Sequence, residues 1–91
     1  MTIPDVLIGK FMELRRDPQD TSKKTPSYTI YEKRGGAPLG EIKWYGPWRG
    51  LCFFPGWDTV FDCGCLQQIR EWIQTLDAAY KASKEASHDH T

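Results

Sequence analysis

The stretch that decides the fold is residues 39 to 55, which read Leu-Gly-Glu-Ile-Lys-Trp-Tyr-Gly-Pro-Trp-Arg-Gly-Leu-Cys-Phe-Phe-Pro. Gly46-Pro47 divides it into two apolar runs, and such a dipeptide marks a turn. Strands joined by so short a break pair antiparallel. The sequence therefore predicts a β-hairpin with strands at residues 39–45 and 48–54.

A further strand is predicted before this hairpin and a helix after it. Residues 27 to 33 are rich in Tyr, Thr and Ile, which favour strands, and Arg34-Gly35-Gly36 follows as a turn. Asp62 is a suitable N-cap for the helix. The helix carries apolar residues at intervals of three and four, a pattern that predicts one buried stripe. The stripe consists of Leu66, Ile69, Ile73, Leu76 and Tyr80, widened by Trp72.

The N-terminal residues predict a short helix, because Leu7, Phe11 and Leu14 are spaced for one helix face. The predicted organisation is a helix at 1–16, a polar linker at 17–26, one domain at 27–82 and a flexible tail at 83–91. The fold class is α+β: a three-stranded antiparallel meander packed on a C-terminal amphipathic helix, preceded by the short N-terminal helix.

Charge is balanced over the 91 residues, with twelve Lys and Arg against twelve Asp and Glu. Residues 23–49 nevertheless hold six basic against two acidic residues, while residues 50–91 hold three basic against six acidic. A neutral total argues against non-specific coating of nucleic acid. A local basic face remains compatible with this composition.

The cysteines predict neither disulfides nor a metal site. Cys63 and Cys65 are separated by one residue, whereas structural zinc sites usually space paired cysteines by two to four. The histidines, His88 and His90, lie near the end of the chain. The positive end of the helix could lower a thiol pKa, but no partner for a nucleophile can be named. We therefore expect reduced thiols in a cytoplasm, no cofactor and no enzymatic activity.

Strand alternation separates the two faces of the predicted sheet. Tyr28, Ile30, Ile42 and Trp44 are assigned to the helix side. The other side, together with the hairpin turn, gives a candidate binding surface of interleaved aromatic and basic residues, a combination that suits protein partners and nucleic acids alike. This surface consists of Tyr31, Lys33, Lys43, Tyr45, Trp48 and Arg49. The alternative is that Tyr45, Trp48 and Arg49 cluster around the hairpin for structural reasons alone.

The motifs between residues 28 and 76 resemble those of a family of small bacteriophage and prophage proteins. They are Leu-Gly-x-Ile-x-Trp at 39–44, Trp-Arg at 48–49, Phe-Phe-Pro at 53–55 and Cys-Leu at 65–66. The resemblance implies a genetic setting, the host bacterial cytoplasm, and supplies no catalytic residues. The order of three strands and a helix also resembles the DNA-binding domains of phage integrase arms and plant AP2-type factors, a likeness of fold alone.

Two hypotheses of function follow, and a thiol or zinc enzyme is a distant third. The leading one is a non-catalytic phage or prophage accessory protein that docks on a host protein, with inhibition of a bacterial defence complex such as a CRISPR effector as its most specific form. The alternative is a DNA-binding protein that uses its three-stranded sheet. The sequence leaves the partner and the oligomeric state open.

Overall fold

Five strands follow one another along the chain in the order in which they lie in the sheet, and each pairs antiparallel with the next. The computed structural model describes residues 5–17 and 27–88, with side chains described up to residue 82. The elements are β1 (Val6–Ile8), β2 (Met12–Arg16), β3 (Ser27–Glu32), β4 (Pro38–Tyr45), a 3-10 turn (Gly46–Trp48), β5 (Gly50–Pro55) and α1 (Cys63–His88).

The predicted α+β class is correct, but the predicted N-terminal helix is wrong. Residues 6–16 form a β-hairpin instead, closed by a hydrogen bond from Gly9 N to Met12 O of 2.8 Å. Val6 and Ile8 are β-branched residues that favour strands, and a glycine between them and β2 disfavours a helix. The hairpin adds two strands to the three that were predicted, so the meander has five.

The strands predicted at 27–33 and 39–45 are present with ends shifted by one residue. The strand predicted from Trp48 begins later, at Gly50. The reason is local: the chain first makes the 3-10 turn, and Arg49 then adopts a left-handed conformation with φ of 51°. Extended pairing with β4 resumes only after this residue.

Asp17, which was predicted to open the linker, follows β2 directly and is hydrogen-bonded to the sheet. Its N–H donates to Ser27 O at 2.9 Å, and its carboxylate accepts hydrogen bonds of 2.7 Å from the hydroxyls of Ser27 and Thr29. Asp17 thereby ties the end of β2 to the start of β3. Residues 18–26 of the predicted linker lie outside the described residues.

The core lies between the helix and one face of the sheet. Leu14, Tyr28, Ile30 and Ile42 are fully buried there, which confirms the face predicted for the last three. Trp44 also faces the helix, with its ring centroid 6.1 Å from that of Tyr80. Burial of these side chains against α1 is the main source of stability for a domain of this size.

Most of the predicted helix stripe is confirmed, since Ile69, Trp72 and Leu76 are buried and Ile73 is partly buried against the core, but the stripe is rotated about the helix axis. Ile69, Trp72, Leu76 and Ala79 are buried, whereas Leu66 is 51% exposed. Trp72 therefore lies at the centre of the buried stripe, and the assignment of Leu66 to it is wrong. The helix also lies close to the β1–β2 turn, where a Cβ on Gly9 would lie 2.8 Å from Gln68 Oε1 and 3.0 Å from the Trp72 ring.

Two further points concern the ends of α1. Phe61, just before the helix, packs its ring against Phe53 at 5.0 Å between centroids. The helical backbone continues to His88, into the segment predicted as a tail, and residues 89–91 lie outside the described residues.

No helix among the described residues is long and apolar enough to span a membrane.

Candidate binding face of the sheet

The helix covers one face of the sheet, and no other described element covers the second, which we call the open face. Its residues alternate with the core residues along each strand, so the pairing register identifies them. The open face consists of Val6, Ile8, Glu13, Arg15, Thr29, Tyr31, Glu41, Lys43, Tyr45, Cys52 and Phe54. All of these side chains are at least partly accessible.

Aromatic rings cluster where β4 and β5 meet the 3-10 turn. The Tyr45 ring makes edge-to-face contacts with Trp48, at 5.2 Å between centroids, and with Phe54, at 5.9 Å. Trp48 is 76% exposed. Lys43 Nζ lies 4.7 Å from the centroid of the Phe54 ring, a cation–π contact. We call Lys43, Tyr45, Trp48 and Phe54 the aromatic cluster.

Each basic strand residue of the open face has an acidic neighbour two positions away on its own strand. Arg15 Nε donates to a carboxylate oxygen of Glu13, and Lys43 Nζ lies 3.7 Å from Glu41 Oε1. The strand positions of this face thus carry two positive and two negative side chains. The open face is electrostatically mixed, not a positive surface.

The six residues predicted to bind do not form one surface. Lys43, Tyr45 and Trp48 come together in the aromatic cluster. Tyr31 is on the same face but at the other end of β4, opposite Pro38.

The remaining two lie apart from the cluster. Lys33 sits in the β3–β4 turn, where Nζ donates to Gly9 O at 3.2 Å. Arg49 lines a shallow groove on the helix side, with Trp44, Asp77 and Tyr80.

Two parts of the open face were missed by sequence reasoning. Phe54 was recognised as apolar but not assigned to the binding surface, although its alternation with Phe53 places it there. The contribution of β1 and β2, including exposed Ile8 and the Glu13–Arg15 pair, was missed because residues 1–16 were predicted as a helix. The alternation of buried Met12 and Leu14 with Glu13 and Arg15 was the available signal.

The start of α1 holds the two cysteines that raised the question of thiol chemistry. Asp62 Oδ1 accepts a hydrogen bond of 2.8 Å from Cys65 N, which confirms the predicted N-cap. Hydrogen bonds from the Cys65 backbone and side chain lower the pKa of Asp62. Burial, and then the hydrogen bond to Asp62, raise the pKa of Cys65. This is opposite to the lowering expected at a helix N-terminus, and the Cys65 thiol stays protonated at neutral pH.

No group of three or more His, Cys, Asp and Glu among the described residues could hold a metal ion. The side chain of His88 and the whole of His90 lie outside that part of the chain.

The Asp62 cap has a testable pH dependence. Because its folded-state pKa lies below the ordinary value of 3.8, its stabilising effect is complete above that value and is lost as the pH falls through the lowered one. We expect Asp62→Ala to destabilise the protein at pH 7, and the difference from the parent to shrink as the pH falls below the ordinary pKa of the carboxyl group. Urea denaturation at a series of pH values measures this difference.

Asp62→Asn is the matched control, since asparagine caps a helix without titrating. The difference in stability between Asp62→Asn and the parent should therefore report only the loss of the carboxylate's charge, and not the loss of the capping hydrogen bond. An Asp62→Ala effect independent of pH would show that the carboxylate does not act as a charged cap.

These elements define a small α+β protein in which one helix covers one face of a five-stranded antiparallel meander. The chain is 39% identical over 54 residues to an uncharacterized 9.3 kDa protein of Acholeplasma phage L2, a match that spans 59% of this chain and 69% of that protein. The chain belongs to the family of this phage protein. No protein-family model matches it, and no solved structure does so. The relative supports the phage setting, and its name states no activity.

Proposed function

We propose that this protein is a non-catalytic binding protein that docks on a host protein through the aromatic cluster. The observation that carries the proposal is the cluster of Tyr45, Trp48 and Phe54 on the side that α1 leaves uncovered, where Trp48 is 76% exposed and the other two rings are partly accessible. Tyrosine and tryptophan dominate the energetics of protein interfaces because they bury large areas at small entropic cost.

Electrostatics favour a protein partner over DNA. A sheet that binds DNA neutralises phosphates with free Lys and Arg side chains. On the open face Arg15 and Lys43 are each paired with a carboxylate. Lys33, in the β3–β4 turn, donates to a backbone carbonyl. Mixed charges of this kind suit the polar rim of a protein interface.

The phage relative supports the phage setting, and from that setting we propose a more specific form of this function. A small phage-encoded protein that binds without catalysis can act on its host by occupying a functional surface of a host complex. A defence complex, such as a CRISPR effector, is the target class that we propose. Its inhibition requires no cofactor, only an interface of ordinary size.

The test is capture from host lysate with the full chain as bait, followed by a binary affinity measurement with the purified partner. Trp48→Ala removes an exposed ring and should leave the fold intact. We expect it to weaken the partner's Kd by roughly 30-fold, the effect of a hot-spot residue worth about 2 kcal/mol. Phe11→Ala is the matched control, because Phe11 is also an exposed aromatic, 62% accessible, but lies outside the open face.

A gel shift on random duplex DNA at low salt runs in parallel. Micromolar binding to DNA that falls steeply with salt, with no protein captured, would overturn the proposal in favour of the DNA-binding alternative. Equal losses of partner affinity in Trp48→Ala and Phe11→Ala would exclude the aromatic cluster as the interface.

A further inference from the structure

β5 is an edge strand whose outer side has no partner among the described residues. Gly56 N donates to Leu39 O at 2.8 Å, so in the β4–β5 register the even-numbered residues of β5 bond to β4. The odd-numbered residues, Leu51 and Phe53, therefore direct their N–H and C=O groups away from the sheet. These groups form a free template for another strand.

The two edges of the sheet differ. β1 has three residues and is flanked by charged Asp5 and Lys10, features that protect an edge from pairing. β5 has six residues, none of them charged. The edge formed by β5 therefore lacks the features that protect an edge strand from pairing with another strand.

Large apolar side chains are also exposed beyond both ends of β5. Trp48 precedes the strand, and Trp57 and Val60, which follow it, are 94% and 93% exposed. The loop that presents them is an ordered turn: Thr59 Oγ1 donates to Gly56 O at 2.8 Å, and Asp58 adopts a φ of 58°. Exposure of two tryptophans on formed turns marks an interaction surface.

We propose that β5 pairs with β5 of a second copy of this chain, antiparallel, about a two-fold axis that passes beside Cys52. In this register Leu51 lies opposite Phe53 of the second copy, so the outward N–H of each of these residues reaches a carbonyl. Pro55, which has no N–H to donate, falls outside the paired segment. Phe54 lies opposite Gly50 of the second copy, where the absent side chain leaves room for its ring.

The ends of the strand are complementary in charge under this symmetry. The end that carries Trp48 and Arg49 meets the end that carries Trp57 and Asp58 in the second copy. Arg49 and Asp58 are both exposed and of opposite charge. Two-fold pairing uses each of these contacts twice, as an isologous interface does.

This pairing does not depend on the proposed function. It joins two sheets edge to edge and leaves the strand positions of both open faces uncovered. The two aromatic clusters then lie on one continuous surface, with Trp48 of each at the border of the junction. The measurement of oligomeric state requires no host partner, so its failure is distinct from a failure of host capture.

The first measurement is sedimentation equilibrium of the full chain under reducing conditions, with an expected mass of twice the 10.5 kDa of one chain. The second is cross-linking by mild oxidation. In a Cys63→Ser/Cys65→Ser variant the two Cys52 residues face each other as a non-hydrogen-bonded pair, about 4.5 Å apart between Cα atoms, which a disulfide can span. This variant should form a covalent dimer.

The matched control is Cys52→Ser/Cys65→Ser, which retains exposed Cys63 and should remain uncross-linked. A one-chain mass at every concentration up to the millimolar range would overturn the proposal. A dimer in which Cys52 does not cross-link, or in which Cys63 cross-links equally fast, would overturn it as well, because the interface would then lie elsewhere.

Discussion

Replacement of Trp72 by alanine should lower the free energy of unfolding by about 3–5 kcal/mol, the cost of removing a large buried side chain from a core. Trp72 is 4% exposed and packs with Leu14, Ile30 and Leu76 in one cluster. Its ring also lies against Gly9, so its loss removes part of the contact between the β1–β2 turn and the helix. A domain of this length has a total stability of about 5–14 kcal/mol, so the variant should be marginal or unfolded at 37 °C.

Leu66→Ala is the control on the same helix. Leu66 is large and apolar but 51% exposed, so its truncation should change the stability by less than about 1 kcal/mol. Urea denaturation followed by far-ultraviolet circular dichroism measures both variants. A greater loss from Leu66→Ala than from Trp72→Ala would mean that the helix packs through the stripe predicted from sequence, rotated from the one observed.

The position and start of the helix were predictable, but its rotation was not. Two sets of positions on α1 fit intervals of three and four, one beginning at Leu66 and one at Cys65, and they share Ile69 and Leu76. Hydropathy favours the first set because leucine is more apolar than cysteine. Packing selects the second because small residues, Cys65 and Ala79, let the helix approach the sheet while Trp72 fills the centre.

The N-terminal hairpin shows the corresponding limit for strands. Leu7 and Leu14 lie on one face of a hypothetical helix, but they are also cross-strand partners in the observed hairpin. In so short a segment, two apolar residues seven positions apart fit either a helix or a hairpin, so periodicity cannot distinguish the two structures. The glycine at position 9 and the Met12-to-Arg16 alternation were the discriminating features.

The open face was predictable in part for a related reason. A period of two places Tyr31, Lys43 and Tyr45 on one side of the strands whatever the rest of the fold does. Lys33 and Arg49 lie in turns, where alternation gives no direction, and the structure takes them away from the aromatic cluster. The pairing of Lys43 with Glu41 and Phe54 depends on rotamers and neighbouring strands.

Gly40 is the position where a single added methyl group should cost most. A Cβ there would lie 2.7 Å from Phe53 Cε1 and 2.7 Å from Phe54 O. A ring can tilt, but a backbone carbonyl in the β4–β5 pairing cannot move without opening the edge of the sheet. We expect Gly40→Ala to lower the free energy of unfolding by about 1–3 kcal/mol, as overpacking does, and Gly40→Val by more. Urea denaturation measures both.

Gly46→Ala is the matched control, since a Cβ at Gly46 would meet nothing within 4 Å and its φ is not in the left-handed region. Its stability should stay within about 0.5 kcal/mol of the parent. Combining Gly40→Ala with Phe53→Leu separates the two clashes, because the smaller side chain relieves contact with the ring but leaves Phe54 O in place. The double variant should therefore lose less than the sum of the two single losses yet remain below Phe53→Leu alone. A Gly40→Ala protein as stable as the parent would mean that β5 does not approach β4 this closely, and that the edge available to a second copy lies in a different place.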